Sequence, residues 1–310
     1  MREFPPCDKC GSNEHVVKRG RRKNKYVEKQ TYWCKNCEHR FTPEDGFKRR
    51  CYPPKVITAA IDLYHRGLSL NQTRDHLEQF YHVKPSDVAI LKWLRYYGKL
   101  LKDYTDGLKP KIKGNVHADE VYLHKKGKKN DKYGNTSFYY FSAIDSQTRF
   151  LWGNLEERRD SKSAQRLFGQ VKSNSRGKPK RIVNDGFWGY RRAFNKHFYT
   201  RYKEDRIDHR HGTGLKGQIN QMKIERANGT IKQRTKVMRG FTNYSSARDI
   251  MDGNNVFYNF IRRHRSKGLK GSTPAEKARI RLPLGRNKWL GLIFFSPIFL
   301  SYFYRFISLI

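Results

Sequence analysis

The chain has 310 residues, room for two or three domains. Lysine and arginine number 66 against 28 acids, a formal charge of +38, while 36% of residues are hydrophobic. That hydrophobic share supplies real cores and excludes a disordered polycation; the charge, spread along the whole chain with a pI of about 10.2, calls for a polyanion, nucleic acid ahead of a ribosome or a membrane surface.

The first 50 residues read as one small module. Cys7-x-x-Cys10 and Cys34-x-x-Cys37 stand 23 residues apart, the spacing of a tetrahedral Zn²⁺ site and not of a secreted disulfide framework. A domain this small needs such a staple to fold. The basic run from Lys18 to Lys29, with Tyr26, Tyr32 and Trp33 near it, predicts a β-hairpin with a basic loop. The module carries 14 bases and 7 acids, so the ribbon is expected to touch DNA. Cys51 lies outside the pattern and reads as an ordinary thiol. Met1 to Cys10 is polar and contains proline, unlike a secretory signal, which makes an intracellular, reducing location the expectation.

Pro53-Pro54 marks a boundary, and residues 53–105 read as an all-α helix-turn-helix domain. Ile57, Ala60, Ile61 and Tyr64 recur at helical spacing, and Gly67 ends that helix. Ser69 with Gln72 starts the next, with Leu70, Leu77 and Phe80 expected on its apolar side. Ser86 caps a third, where Ile90, Trp93, Leu94, Tyr97 and Leu101 make a stripe. The third helix is expected in the major groove; a plain helical linker or a dimerisation module is the alternative.

From residue 114 to 285 the pattern is α/β. Asn115–His124, Phe138–Asp145 and Arg149–Leu155 predict a three-strand meander, with a basic turn from Lys125 to Asn135. A helix follows to Val171, capped by Asp160 or Ser161. Then come a strand from Lys180 to Asp185, a helix over Phe187–Phe198, a short strand over Arg206–His209, a helix through Glu225, and a last helix from Ser245 to Arg263. The order β-β-β-α-β-α-β-α is that of a ribonuclease-H-like domain with a mixed five-stranded sheet. Tyr139, Tyr140, Phe141 and Trp188 are expected in its core. His209 and His211 read as solvated or DNA-contacting.

In that arrangement Asp119, on the first strand, and Asp185, at the end of the fourth, are neighbours. Glu225 comes from a helix packed on the same end. Three carboxylates in one place repel, and two Mg²⁺ or Mn²⁺ ions about 4 Å apart remove the conflict and drive in-line attack on a phosphodiester. Glu120, beside Asp119, is expected on the opposite face of the strand. Lys232 lies two helical turns beyond Glu225 on the same face. With Arg226 and Arg234 it is a candidate for holding the phosphate backbone.

H-A-D-E-V-Y (117–122), I-V-N-D-G (182–186) and I-E-R-A-N-G-T-I-K-Q-R (224–234) closely resemble the three motif blocks of DDE transposases from prokaryotic insertion sequences. M-R-G-F (238–241) and R-R-H-R-S-K-G-L-K-G-S-T-P-A-E-K-A (262–278) resemble that family's C-terminal pattern. The likeness runs over about residues 1 to 285. It implies that Asp119, Asp185 and Glu225 are the three catalytic acids in turn, and that Lys232 is the basic residue after the glutamate. It implies cleavage at transposon ends and joining of the 3′-hydroxyl to target DNA, by a homo-oligomer working at the nucleoid in the cytoplasm of a prokaryote. A non-catalytic DNA-binding regulator, or a decayed transposase, is the alternative.

Residues 286–310 form a hydrophobic tail, with no charge between Trp289 and Tyr304. Pro297 interrupts it and a spanning helix needs about 20 apolar residues, so a tail folded on the body is expected before a membrane span.

Overall fold

Along the chain, strands give way to helices and then to a mixed α/β region. The computed structural model describes residues 4–43, 46–47, 49–126, 136–211 and 222–296. Strands β1 (Val16–Lys23), β2 (Glu28–Cys34) and β3 (His39–Phe41) come first, then helices α1 (Pro54–His65), α2 (Leu70–Tyr81) and α3 (Asp87–Asp106). Next are β4 (Val116–His124), β5 (Ser137–Asp145), β6 (Leu151–Glu156), α4 (Ser161–Ser173), β7 (Arg181–Asn184), α5 (Trp188–His197) and β8 (Asp208–His211). Helices α6 (Met222–Met238), α7 (Tyr244–Val256), α8 (Pro274–Lys277) and α9 (Lys288–Phe295) complete the order. Most of the expected basic turn at 125–135, and the tail beyond 296, lie outside the described residues. Among the described residues no helix is long and apolar enough to cross a membrane.

The described residues fall into two compact units. The first unit takes the described residues within 1–62, 71–90 and 283–296. Its sheet is antiparallel in the order β1-β2-β3, with Val16 opposite Cys34 and Tyr32 opposite Phe41. Cys7, Val16, Cys34 and Phe41 form a minimal core, with Phe4 and Tyr32 packed against it. So little apolar material does not hold a fold by itself. The start of the hydrophobic tail folds back within this unit. Trp289 is buried and its indole N–H donates to Asp62 Oδ1 at 3.0 Å, while Asn287 donates to Thr58 Oγ1 at 2.8 Å. Phe80, expected on the buried side of α2, is 61% exposed. It stands in the last turn, lying on the His76 ring, and Thr73 and Leu77 make the buried stripe instead.

The second unit takes residues 63–70 and 91–282. Its five strands run β6-β5-β4-β7-β8, antiparallel from β6 to β4 and parallel from β4 to β8. This is the mixed sheet of a ribonuclease-H-like domain. Phe138, Tyr140, Phe141, Ala143 and Ile144 of β5 are all buried, as a strand covered on both faces requires; Tyr139 is only half-buried. The helix expected at 245–263 is not regular throughout: α7, capped by Asn243, continues through a π-helical turn at Phe257–Ile261. That turn aims the Asn259 side chain at the edge of β6. Its amide accepts from the Leu151 backbone N–H at 2.9 Å and donates to the Leu151 carbonyl at 2.8 Å, covering an edge that would otherwise invite another strand.

Helix α3 runs for 20 residues, and its part within this unit lies hard against α7. A Cβ on Gly98 would stand 2.5 Å from the Asp249 carbonyl oxygen, so only glycine allows that approach. Arg95 pairs with Asp249 at 3.1 Å in the same contact. Two motifs at the C-terminal end of the domain also have a physical account. In M-R-G-F, Gly240 has φ +101° and a Cβ there would lie 2.8 Å from the His124 carbonyl oxygen. The following Phe241 N–H bonds that carbonyl at 2.9 Å, which clips the end of α6 to the end of β4. In S-T-P-A-E-K, Thr273 and Glu276 form a reciprocal capping box with Pro274 at the start of α8.

Candidate active site and metal centres

Strand β4 runs past the end of β7. The parallel pairing of the two reaches only Val116 with Ile182 and His117 with Val183. Asp185 is the first residue of the loop that leaves β7. Carboxylate oxygens of Asp119, Glu120 and Asp185 all lie within 4.8 Å of one another there. The sequence places Glu120 on the opposite face, and its backbone does alternate. Its carboxylate nevertheless lies within the cluster, where Arg159 and the Tyr190 hydroxyl hold it.

Each acid has its own surroundings. Asp119 Oδ2 accepts from Asn228 Nδ2 at 2.8 Å, and its Oδ1 accepts from the Glu120 backbone N–H at 2.9 Å. The Ser142 hydroxyl, opposite Asp119 on β5, lies 3.0 Å from Asn228 Oδ1. Burial, aided by the neighbouring Glu120 and Asp185 charges, raises Asp119 to about 6. Glu120 is also raised by burial, against the pull of the Arg159 guanidinium. Asp185 Oδ1 accepts from the Phe187 backbone N–H at 3.1 Å, and Arg159 Nη2 lies 3.6 Å from its Oδ2. A cluster of three hard oxygen donors with an acid pushed upward fits a divalent cation such as Mg²⁺ or Mn²⁺.

Glu225 is exposed on α6 and stands outside that cluster. It lies one helical turn before Asn228, which holds Asp119. Lys232 and Arg226 on the same helix are exposed, as backbone-binding cations must be. Arg234 is not. It is 5% exposed, with its guanidinium carbon 3.7 Å above the Tyr64 ring. Its Nε, Nη1 and Nη2 are buried without a hydrogen-bond partner among the described residues. Position 234 falls on the inward face of α6 with Ile231 and Ala227, so in this structure Arg234 packs on Tyr64 and does not face solvent as Lys232 and Arg226 do.

Two further expectations change. Trp188 is 54% exposed at the first position of α5, with the Arg192 guanidinium 4.7 Å over its ring. His209 is a structural residue: it stacks on Phe194 at 4.1 Å, and its Nε2 lies 2.7 Å from Asn184 Oδ1. That bond requires Nε2 to carry the proton. Burial, with His211 adding to it, lowers His209 to about 4.

In the first unit, the sulfurs of Cys7, Cys10, Cys34 and Cys37 lie within 4.8 Å of one another. The Cys7–Cys37 and Cys10–Cys34 separations are 3.5 and 3.6 Å. Both are far too long for a disulfide, and they match the edge, about 3.8 Å, of a tetrahedron with metal–sulfur bonds of about 2.3 Å. The Ser12 backbone N–H holds Cys10 down at about 7, while partial burial pushes Cys37 up to about 12. A soft divalent cation such as Zn²⁺ fits four such thiols, since it takes them all as thiolates.

Sequence reasoning missed Asn228 and Arg159, and set Glu120 aside as facing away from the acids. Asn228 had a signal, its spacing of one helical turn from Glu225. Arg159 precedes the Asp160 cap of α4 with no periodicity to mark it.

Residues 113–264 match the family model DDE_Tnp_IS240, described as a DDE domain. No curated protein matches the chain. Among solved structures, the chain resembles the HTLV-2 integrase catalytic core domain in complex with magnesium (dimeric form) at 15% identity and a TM-score of 0.38, covering 55% of this chain and 98% of that one. The catalytic core domain of BIV integrase matches at 16% identity and a TM-score of 0.34, over 52% and 91%. A chain of the simian T-cell lymphotropic virus intasome in complex with PP2A regulatory subunit B56 gamma matches at 15% and 0.38, over 56% of this chain and 58% of that one.

Proposed function

We propose that this chain, whose residues 113–264 match a DDE domain, is a transposase of an insertion sequence that cuts DNA at transposon ends and joins the freed 3′-hydroxyl to target DNA. The observation that carries this reading is the convergence of Asp119 and Asp185 where β4 outruns β7, inside the matched domain.

Asp119, Asp185 and Glu225 would hold the divalent ions. Those ions would supply what carboxylates cannot: activation of the attacking water or 3′-hydroxyl and stabilisation of the leaving oxygen. Asn228 fixes the Asp119 carboxylate, and Glu225 stands one turn before it on the same helix. Lys232 and Arg226, both exposed on that helix, would take the phosphates of the strand being cut. Trp188, exposed three residues after Asp185, offers a stacking face for an unpaired base at the cut end.

The cysteine module, with Zn²⁺, and the helices at 53–105 would recognise the terminal repeats. The basic charge of the whole chain supports long-range attraction to duplex DNA in the cytoplasm, at the nucleoid. Two transposon ends must be held together during joining, which favours a homodimer or a larger homo-oligomer.

The test is cleavage of a duplex that carries one element end flanked by host sequence, with Mg²⁺, beside the Asp119→Asn variant. A 3′-end cut at the element boundary that disappears in the variant supports the reading. Tight binding to that end without any cut supports the regulator.

A further inference from the structure

The acid cluster contains one carboxylate more than the proposed site uses. Glu120 differs from its neighbours in that each of its oxygens is taken by another residue's side chain, whereas Asp119 and Asp185 each accept one bond from a backbone N–H. Oε1 pairs with Arg159, and Oε2 accepts from the Tyr190 hydroxyl at 2.9 Å. Its side chain is 3% exposed, whereas that of Asp185 is 37% exposed.

Arg159 is held from three sides. It directly precedes Asp160, whose carboxylate caps α4 by accepting from the Ser163 N–H at 2.9 Å, so its backbone is fixed at a helix start. Its guanidinium pairs with Glu120 and lies 4.2 Å above the Phe187 ring. Nε makes the pair with Glu120, and Nη2 lies 3.6 Å from Asp185 Oδ2. Phe187 is itself the residue whose N–H holds Asp185 Oδ1. One guanidinium thus touches the carboxylate of Asp185 and the side chain of the residue that binds its other oxygen.

We infer that Glu120 is the buried anchor of Arg159 and not a metal ligand, and that Arg159 is the positioning residue that aims Asp185 into the metal site. This inference rests on the active site proposed above. Three carboxylates and one guanidinium leave a charge of −2 on the cluster, which one divalent ion balances. Planar, bidentate geometry is what lets arginine serve Glu120 and Asp185 together; a lysine ammonium reaches one of them and does not stack on Phe187. Groups that orient metal ligands from behind typically change metal affinity by about 10- to 100-fold when removed.

The experiment is calorimetric titration of Mn²⁺ into the full chain as wild type, Asp185→Asn, Glu120→Gln, Arg159→Ala and Arg159→Lys. Asp185→Asn defines loss of the site, and folding of each variant is checked by circular dichroism. Glu120→Gln is expected to stay within about 3-fold of wild type, because glutamine keeps the contacts to Arg159 and Tyr190. Arg159→Ala is expected to weaken binding by about 10-fold or more, with Arg159→Lys between it and wild type. Should Arg159→Ala fail to fold, the lysine variant alone decides, since a wild-type affinity there overturns the positioning role. Loss in Glu120→Gln equal to that in Asp185→Asn makes Glu120 a ligand and overturns the inference while leaving the active site standing. Tighter binding in Arg159→Ala makes Arg159 a competitor of the metal and also overturns it. A wild type that takes up no more Mn²⁺ than Asp185→Asn overturns the metal site and this inference together.

Discussion

The Asn228 amide donates a 2.8 Å hydrogen bond to Oδ2 of Asp119, tying α6 to β4 at the point where the acids meet. A hydrogen bond to a charged acceptor contributes about 1.5–3 kcal/mol. Asn228→Ala is expected to cut strand joining by about 10-fold or more through misplacement of Asp119 and of the Glu225 helix, at a cost of about 1–3 kcal/mol in stability. Joining kinetics and urea unfolding check the two effects separately. Wild-type rates in the variant would detach Asn228 from the site.

Asp252, largely buried on α7, is raised to about 7 by burial, with Asp106 opposing the relief from Lys102. An acid whose folded value exceeds its ordinary value near 3.8 weakens the fold once it is charged. The penalty is absent below about pH 4, grows as pH rises, and is complete above about 7. Asp252→Asn is therefore expected to raise Tm at pH 8 and to leave it nearly unchanged at pH 4. An equal effect at both pH values would show that Asp252 does not titrate in this way.

Lys232, Arg226 and Arg234 share one helix and separate by exposure. Alanine at Lys232 or Arg226 is expected to lower DNA affinity and to reduce the salt slope by about 0.9 log unit for each phosphate that the variant no longer neutralises. Arg234→Met is expected to leave that slope unchanged. It is expected to hold or raise stability, since methionine fills a similar volume and removes a buried cation with no hydrogen-bond partner among the described residues. Salt titrations of binding, with thermal melts, check all three.

The four thiols of the ribbon predict one tightly held Zn²⁺ per chain. Cys34→Ser is expected to release it, melt the first 50 residues and abolish recognition of the element end, while Asp185→Asn keeps both zinc and recognition. Zinc content and gel-shift assays distinguish the two. Recognition that survives loss of zinc would remove the ribbon from DNA binding.

Much of the fold is legible in the chain because it follows from local rules. The cysteine pairs, the Ser86 and Asp160 caps and the alternation of β4 and β5 specify their elements directly. So does the strand-then-Asp pattern at Asp185. What is not legible depends on how elements meet one another. Glu120 lies with the acids although its backbone alternates away from Asp119, held there by Arg159 and Tyr190 from α4's start and α5, and no pattern within β4 encodes that. Arg234 reads as a DNA contact from its charge, yet its position on the inward face of α6 next to Tyr64 decides its role. Trp188 reads as core from its type, but the first turn of α5 leaves it outside.

The most direct test of the central claim is strand transfer by the purified full chain from a pre-cut terminal-end oligonucleotide into plasmid DNA, with Mg²⁺ or Mn²⁺. It is run beside Asp185→Asn, and binding to the same oligonucleotide is measured in parallel. The expected result is joined product from the wild type, none from the variant, and equal binding by both. Joining by Asp185→Asn at the wild-type rate would contradict the claim, and so would specific binding by a wild type that joins nothing with either metal.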